Sequence, residues 1–168
     1  MPENVTILPV EPRDVERLAA LAGEIWRTHY PGIISAAQIE YMLGQRYSPD
    51  AVRAELQRRD LWWDLLLVGG RMTGFASYFL TGNAGEIKLD KLYVDHDHQR
   101  RGYGAMLLDR AVTIARAYGV GTIVLAVNKH NGNAIAAYLK YGFRIAESVV
   151  KDIGDGFVMD DYVMTKDV

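Results

Sequence analysis

The chain contains no cysteine in its 168 residues. That absence excludes disulfides, thiolate metal sites and a cysteine nucleophile, and it fits a reducing compartment. A leader pattern is missing too. Met1-Pro2-Glu3-Asn4 offers no basic region followed by an apolar run, so no signal peptide is expected. No apolar stretch approaches the length needed to cross a bilayer. A soluble, cytoplasmic protein without a membrane partner is the expectation. Charge of one sign is scarce as well: the formal net charge is −2, with both signs interspersed. A nucleic-acid partner, which needs a basic face, is therefore not expected. Repeats, linkers and low-complexity segments are also wanting. What is present, 49% hydrophobic and 24% charged residues, describes one globular domain over 1–168 with a packed core.

Helical spacing of apolar residues dominates the first third. Val15, Leu18, Leu21, Ala22, Ile25 and Trp26 recur on one face between 12 and 30, and Pro12 and Asp14 suit a helix start. Pro31-Gly32 ends that helix. Ser35-Ala36-Ala37-Gln38 reads as a capping box, in which the serine and glutamine side chains each bond the other's main-chain N–H. Ser48-Pro49 opens a further helix. From 61 onward the texture becomes strand-like. Runs at 61–68 and 72–80 flank the hairpin turn Gly69-Gly70, and a third strand covers 86–94. Then come a helix from 102 to 118 stopped by Gly119, a strand at 122–127, a short helix at 133–141, and a closing hairpin at 144–150 and 157–165. The fold class is α/β.

Between a strand and a helix lies Gln99-Arg100-Arg101-Gly102-Tyr103-Gly104-Ala105. Glycines at a helix start let a ligand approach the main chain. The first turn's free N–H groups and the helix dipole attract phosphate. Two nucleotide-binding patterns fail here. The dinucleotide fingerprint needs a small residue where Leu107 stands, and no Gly-Lys-Ser/Thr exists for a P-loop.

The segment Gln99-x-x-Gly102-x-Gly104 resembles the coenzyme A pyrophosphate loop of the GNAT superfamily of N-acetyltransferases. Leu92-Tyr93-Val94 resembles that family's splayed fourth strand. Asn131-x-x-Ala134-Ile135-x-x-Tyr138 with Gly142-Phe143 is similar to its second characteristic stretch. The resemblance implies the family's fold: a mostly antiparallel, twisted sheet splayed at strands 4 and 5 and flanked by helices. It divides the chain into a helical acceptor-binding part (1–60), a coenzyme A-binding core (61–143) and a closing hairpin (144–168).

By that resemblance, acetyl-CoA is the cosubstrate and a primary amine the acceptor, with direct transfer in a ternary complex. Leu92, Tyr93, Val94, Gln99, Arg100, Arg101, Gly102, Tyr103, Gly104, Ala105, Asn131 and Tyr138 then bind the cofactor. The 101–105 amides hold the pyrophosphate, and the Val94 N–H polarises the thioester. Asn131 either steadies the pantetheine arm or caps its helix. Tyr138 matches the family's general acid, since a phenol still holds its proton at neutral pH. For the base, the family's strand glutamate aligns near Lys88. Glu86 and Asp90 flank it on one strand face by period two, and either fits; a solvated face or a Lys88 ion pair is the structural alternative.

Trp26, His29, Tyr30 and Tyr41 are candidates to line an acceptor pocket, with Trp26 also suited to the core. His29-Tyr30-Pro31-Gly32 and the 38–43 segment weakly resemble bacterial polyamine acetyltransferases within the superfamily. His96 and His98 lack a third ligand, so no metal is expected. Trp62-Trp63 reads as packing or an interface. The strand at 160–165 is read either as a homodimer contact or as a sheet edge. A silent acetyl-CoA-binding sensor module, a longer acyl donor and a peptide or protein acceptor remain alternatives.

Overall fold

The computed structural model describes residues 3–168. Seven strands form one sheet in the order β1-β2-β3-β4-β5-β7-β6. They are β1 (Val5–Pro9), β2 (Leu61–Val68), β3 (Arg71–Leu80), β4 (Glu86–Val94), β5 (Thr122–Asn128), β6 (Arg144–Gly154) and β7 (Phe157–Asp167). Five α-helices accompany them: α1 (Val15–His29), α2 (Ala36–Arg46), α3 (Pro49–Leu56), α4 (Tyr103–Ala117) and α5 (Gly132–Tyr141). The α/β architecture follows the family's pattern. Strand β1 departs from the sequence reading, which begins with the first helix. Its signal was the short β-branched run Val5-Thr6-Ile7, which pairs antiparallel with β2.

The apolar stripe of α1 buries all six predicted residues. With α2 and α3 it covers one sheet face, against Trp63, Leu65 and Phe75. Helix α4 covers the opposite face through Leu107, Leu108 and Ala111, against Leu66, Ala76, Ile87, Leu89, Ile123 and Leu125. Alternation along β2 explains this division, because Trp63 and Leu65 face one layer while Leu66 and Val68 face the other.

The capping box forms only in half. Ser35 accepts the Gln38 N–H at 3.1 Å, but the Gln38 side chain donates to the Val158 carbonyl at 2.9 Å instead of reaching back. Gln38 is buried under the β6–β7 hairpin, where its amide needs a partner and the Val158 carbonyl supplies one. The closing strand is also corrected. β7 lies inside the sheet between β5 and β6, so it neither edges the sheet nor is free to pair with a second copy; the edges are β1 and β6.

One break in the sheet sets up the site. β4 and β5 run parallel and pair only from Glu86↔Thr122 to Leu89↔Leu125. Beyond that point β4 stays with β3 as far as Gly74↔Val94, and β5 stays with β7 as far as Asn128↔Asp161. The two ladders diverge and leave a wedge between 90–94 and 126–128. A bulge starts the divergence: Ser77 pairs with Lys91 and Tyr78 with Leu89, so Asp90 has no partner in β3.

Candidate active site

The wedge opens into a cleft of about 990 Å³, lined by α1, α2, β4, the glycine loop, the ends of α4 and β5, and α5. Two kinds of chemistry meet in it. On one side the main chain does the work. The Asp95 N–H donates to Thr73 O at 2.8 Å, so strand alternation turns the main-chain groups of Leu92 and Val94 away from β3 and into the wedge. The Gln99 amide donates to the Val94 carbonyl at 3.1 Å, which ties the loop to the strand end.

Gly102 caps α4 in the left-handed region at φ 83°, and Arg100 also has positive φ at 64°. The first helical bond runs from the Met106 N–H to Gly102 O. The Tyr103, Gly104 and Ala105 amides therefore have no helical partners, and all three residues line the cleft. These free donors at the positive end of a 15-residue helix suit a pyrophosphate. Arg100, Gly102 and Gln99 line the cleft as well, whereas the exposed Arg101 does not. Gly74 serves the same architecture. A Cβ there would stand 2.7 Å from Tyr93 O, so only glycine lets β3 and β4 approach at the mouth of the wedge.

On the other side, side chains carry the chemistry. The His29 Nε2 and Asn131 Oδ1 are 3.0 Å apart, and the Tyr30 and Tyr93 hydroxyls 2.6 Å apart. Because Oδ1 only accepts, His29 Nε2–H is the donor. Asn131 stands at the N-cap position of α5 but makes no side-chain cap bond; its side chain is spent on His29. Tyr93 turns its ring into the aromatic cluster of Trp26, Tyr30, Tyr47 and Phe75, and its main chain faces β3, so it meets the cleft through its hydroxyl pair with Tyr30. Trp26 is 1% exposed, a core residue that shows an edge to the cleft. Tyr138 lines the cleft from α5. Burial, with Tyr30 nearby, pushes its phenol above the ordinary value, so it is protonated at neutral pH.

Both candidate carboxylates on β4 are corrected. Glu86 lies at the far end of the strand, outside the cleft, where it accepts from Thr81 Oγ1 at 2.8 Å and Asn83 Nδ2 at 3.1 Å and closes the turn before β4. Asp90 does line the cleft, but both its oxygens are taken. Arg46 donates to one at 2.9 Å and Lys91 to the other at 2.6 Å. Burial alone would raise the Asp90 carboxyl; the two cations overcome that and hold it at about 2. Such a group is a weak base at neutral pH. The expected alternation itself holds, with Glu86, Lys88 and Asp90 flanking the buried Ile87 and Leu89; what removes the two carboxylates as free bases is their engagement with other groups.

Tyr41 is corrected too. It donates to Ile153 O at 2.7 Å and packs at a tilt against Phe157, which fastens α2 to the β6–β7 hairpin away from the cleft lining. The sequence reading missed Arg46 and Lys91. Lys91 is 2% exposed, bonds Glu55 at 3.2 Å, and lies over the Trp63 ring at 5.0 Å. Its only signal was a lysine inside an otherwise apolar strand end. His98 lies 3.5 Å from Asp95, and no group of three or more metal-binding side chains is found among the described residues. Trp62 stacks on Tyr78 and Trp63 is buried, which makes the pair packing. No helix among the described residues is long and apolar enough to cross a membrane.

Comparison with known proteins agrees with this geometry. The model of the acetyltransferase (GNAT) family matches residues 23–143. The spermidine N(1)-acetyltransferase of Thermoplasma acidophilum is 26% identical over 161 residues, covering 94% of this chain and 96% of that protein. A probable N-acetyltransferase of Mycobacterium tuberculosis is 27% identical over 150 residues, 86% of this chain and 82% of its own length. The crystal structure of a PaiA N-acetyltransferase from Thermoplasma acidophilum in complex with coenzyme A superposes with a TM-score of 0.85 at 25% identity, covering 98% of this chain and 99% of the other. With a family match over most of its length, the chain belongs to the acetyltransferase (GNAT) family and is an N-acetyltransferase.

Proposed function

We propose that the protein moves the acetyl group of acetyl-CoA directly to a small primary amine while both are bound. The observation that carries this reading is the wedge. Main-chain groups of Leu92 and Val94 face into it, free amides of α4 stand at one end, and a protonated Tyr138 lines it. The free α4 amides fit the pyrophosphate of the donor. Pantetheine then pairs with Leu92 and Val94 as an added strand would, and the Val94 N–H polarises the thioester carbonyl as charge builds on its oxygen. Tyr138 gives its proton to the departing thiolate. No enzyme nucleophile is required, in keeping with a chain that has no cysteine.

His29, Tyr30 and Trp26 form the acceptor side. The acidic groups among the lining residues come down to Asp90, and it is already held by two cations. That supports an acceptor with one amine head in the site and offers no row of carboxylates to a polycation. Spermidine, named for the Thermoplasma relative, is still the first amine to test. The test is thiol release from acetyl-CoA with spermidine, simple monoamines, amino acids, aminoglycosides and short peptides as acceptors. Transfer to a small primary amine is expected, with calorimetric binding of acetyl-CoA. Binding without transfer to any acceptor would favour a sensor. No binding heat at millimolar acetyl-CoA would overturn the reading.

A further inference from the structure

Asp161 sits in β7 directly across from Asn128 of β5, and Asn128 lines the cleft. Met159, two residues back and so on the same strand face, lines it as well. Asp161 is 4% exposed, and its Oδ1 is sealed from solvent with no hydrogen-bond partner among the described residues. The other deeply buried aspartate, Asp64, accepts from Tyr78 OH at 2.6 Å. Asp90 and Glu55 are also fully engaged. A desolvated carboxylate oxygen left without a donor is unfavourable, and one that persists beside a binding cleft calls for a donor from outside the chain.

The charged and titratable groups facing Asp161 are Tyr30 at the C-cap of α1, Arg46 on α2, Lys88 on β4, Lys129 after β5 and its own neighbour Asp160. Two of the cations have other partners: Arg46 holds Asp90 at 2.9 Å, and Lys129 holds Asp160 at 2.5 Å. Burial raises the Asp161 carboxyl above the ordinary carboxylate range and Asp160 adds to the rise, with Lys88, Arg46 and Lys129 opposing it. The direction suits a proton acceptor, because a base works best when its own pKa approaches the working pH.

We propose that Asp161 receives the ammonium head of the acceptor and removes its proton; this rests on the acetyl-transfer reading above. One ammonium proton passes to the Asp161 carboxylate and from there to solvent. The freed nitrogen lone pair bonds to the thioester carbonyl carbon, and the carbon–sulfur bond breaks as the carbonyl re-forms. The sulfur takes the Tyr138 proton, and a second proton from the acylated nitrogen restores the phenol. A single sealed carboxylate specifies a single ammonium. The acceptor class is therefore a primary amine with an uncharged or remotely charged body, and a polyamine enters by one end.

The experiment measures kcat/KM for the best amine acceptor from pH 6 to pH 10 with wild type and Asp161→Asn, alongside acetyl-CoA affinity. The Asn variant should lose about a hundredfold or more at pH 7 while binding acetyl-CoA as before. The deficit should shrink as pH approaches the amine's own pKa, where neutral amine is already plentiful. If Asp161→Asn does not fold, Asp161→Ser carries the same comparison. A variant within threefold of wild type across the range overturns the inference and leaves acetyl transfer standing. A deficit constant with pH does the same, since a packing defect has no reason to track amine ionisation. A wild type that transfers to no amine overturns both.

Discussion

On the proposed reading, the two walls of the cleft recognise their ligands by different means. The donor wall is main chain, built from the Leu92 and Val94 groups turned into the wedge and the free amides of α4. The acceptor wall is side chain, built from the His29–Asn131 and Tyr30–Tyr93 pairs and the charged set of Arg46, Asp90 and Lys91. Amides are fixed by strand and turn geometry and tolerate many side chains. A wall of side chains depends on each residue being the one it is. The donor wall should therefore resist most side-chain changes and fail only where the backbone is altered, and the acceptor wall should behave the opposite way.

The sharpest break in that contrast is Asp90→Ala. It leaves Arg46 and the sealed Lys91 short of a counter-charge, a loss of about 3–5 kcal/mol, seen as a fall of roughly 10 °C or more in thermal midpoint. Next comes Tyr138→Phe, expected to lower kcat by about a hundredfold with acetyl-CoA affinity nearly unchanged; equal kcat in single-turnover measurements would remove Tyr138 from the chemistry. On the donor wall, Gly102→Ala forces a left-handed residue onto the helix cap, at a cost of about 1 kcal/mol. Acetyl-CoA affinity should fall about tenfold by calorimetry, whereas Arg101→Ala should change it less.

The pH behaviour sharpens the same point. The Asp90 carboxyl, at about 2, lies below its ordinary value of 3.8, so it stabilises the fold above that value and loses the contribution as pH falls from about 4 to 2. Denaturant midpoints for Asp90→Asn should lack that part of the acid slope. The smallest effect is Glu86→Gln, expected to leave kcat/KM within twofold because Glu86 only closes a turn outside the cleft.

The same contrast explains what could be read from sequence. The glycine loop, the α4 start and the Leu92–Val94 strand were legible because main-chain recognition leaves a fixed local spacing of glycines and strand residues. Asn131 and Tyr138, which line the cleft, could be proposed only as members of a family pattern. Glu86 and Asp90 alternate with the buried Ile87 and Leu89 as period two expects; what period two could not show is that Glu86 closes a turn and that the fold brings Arg46 and Lys91 onto Asp90. Arg46, Lys91 and Asp161 went unnoticed for a related reason: their partners are distant in sequence, and ordinary charged residues become unusual only when the fold seals them. Tyr41 shows the reverse, an aromatic at a plausible spacing that long-range packing claims for the β6–β7 hairpin.

The incomplete seam between β4 and β5 has a consequence beyond ligand binding. Every strand of β1–β4 comes from residues up to 94, and every strand of the other half-sheet from 122 onward, with α4 packed mainly on β4 and its neighbours. A four-pair parallel ladder joins the two blocks across the sheet, and the chain passes between them once, through Gly119-Val120-Gly121. The molecule is thus poised to open as two contiguous cooperative units. Amide exchange should show the C-terminal block, residues 122–168, losing protection as a group before β2 and β3 do.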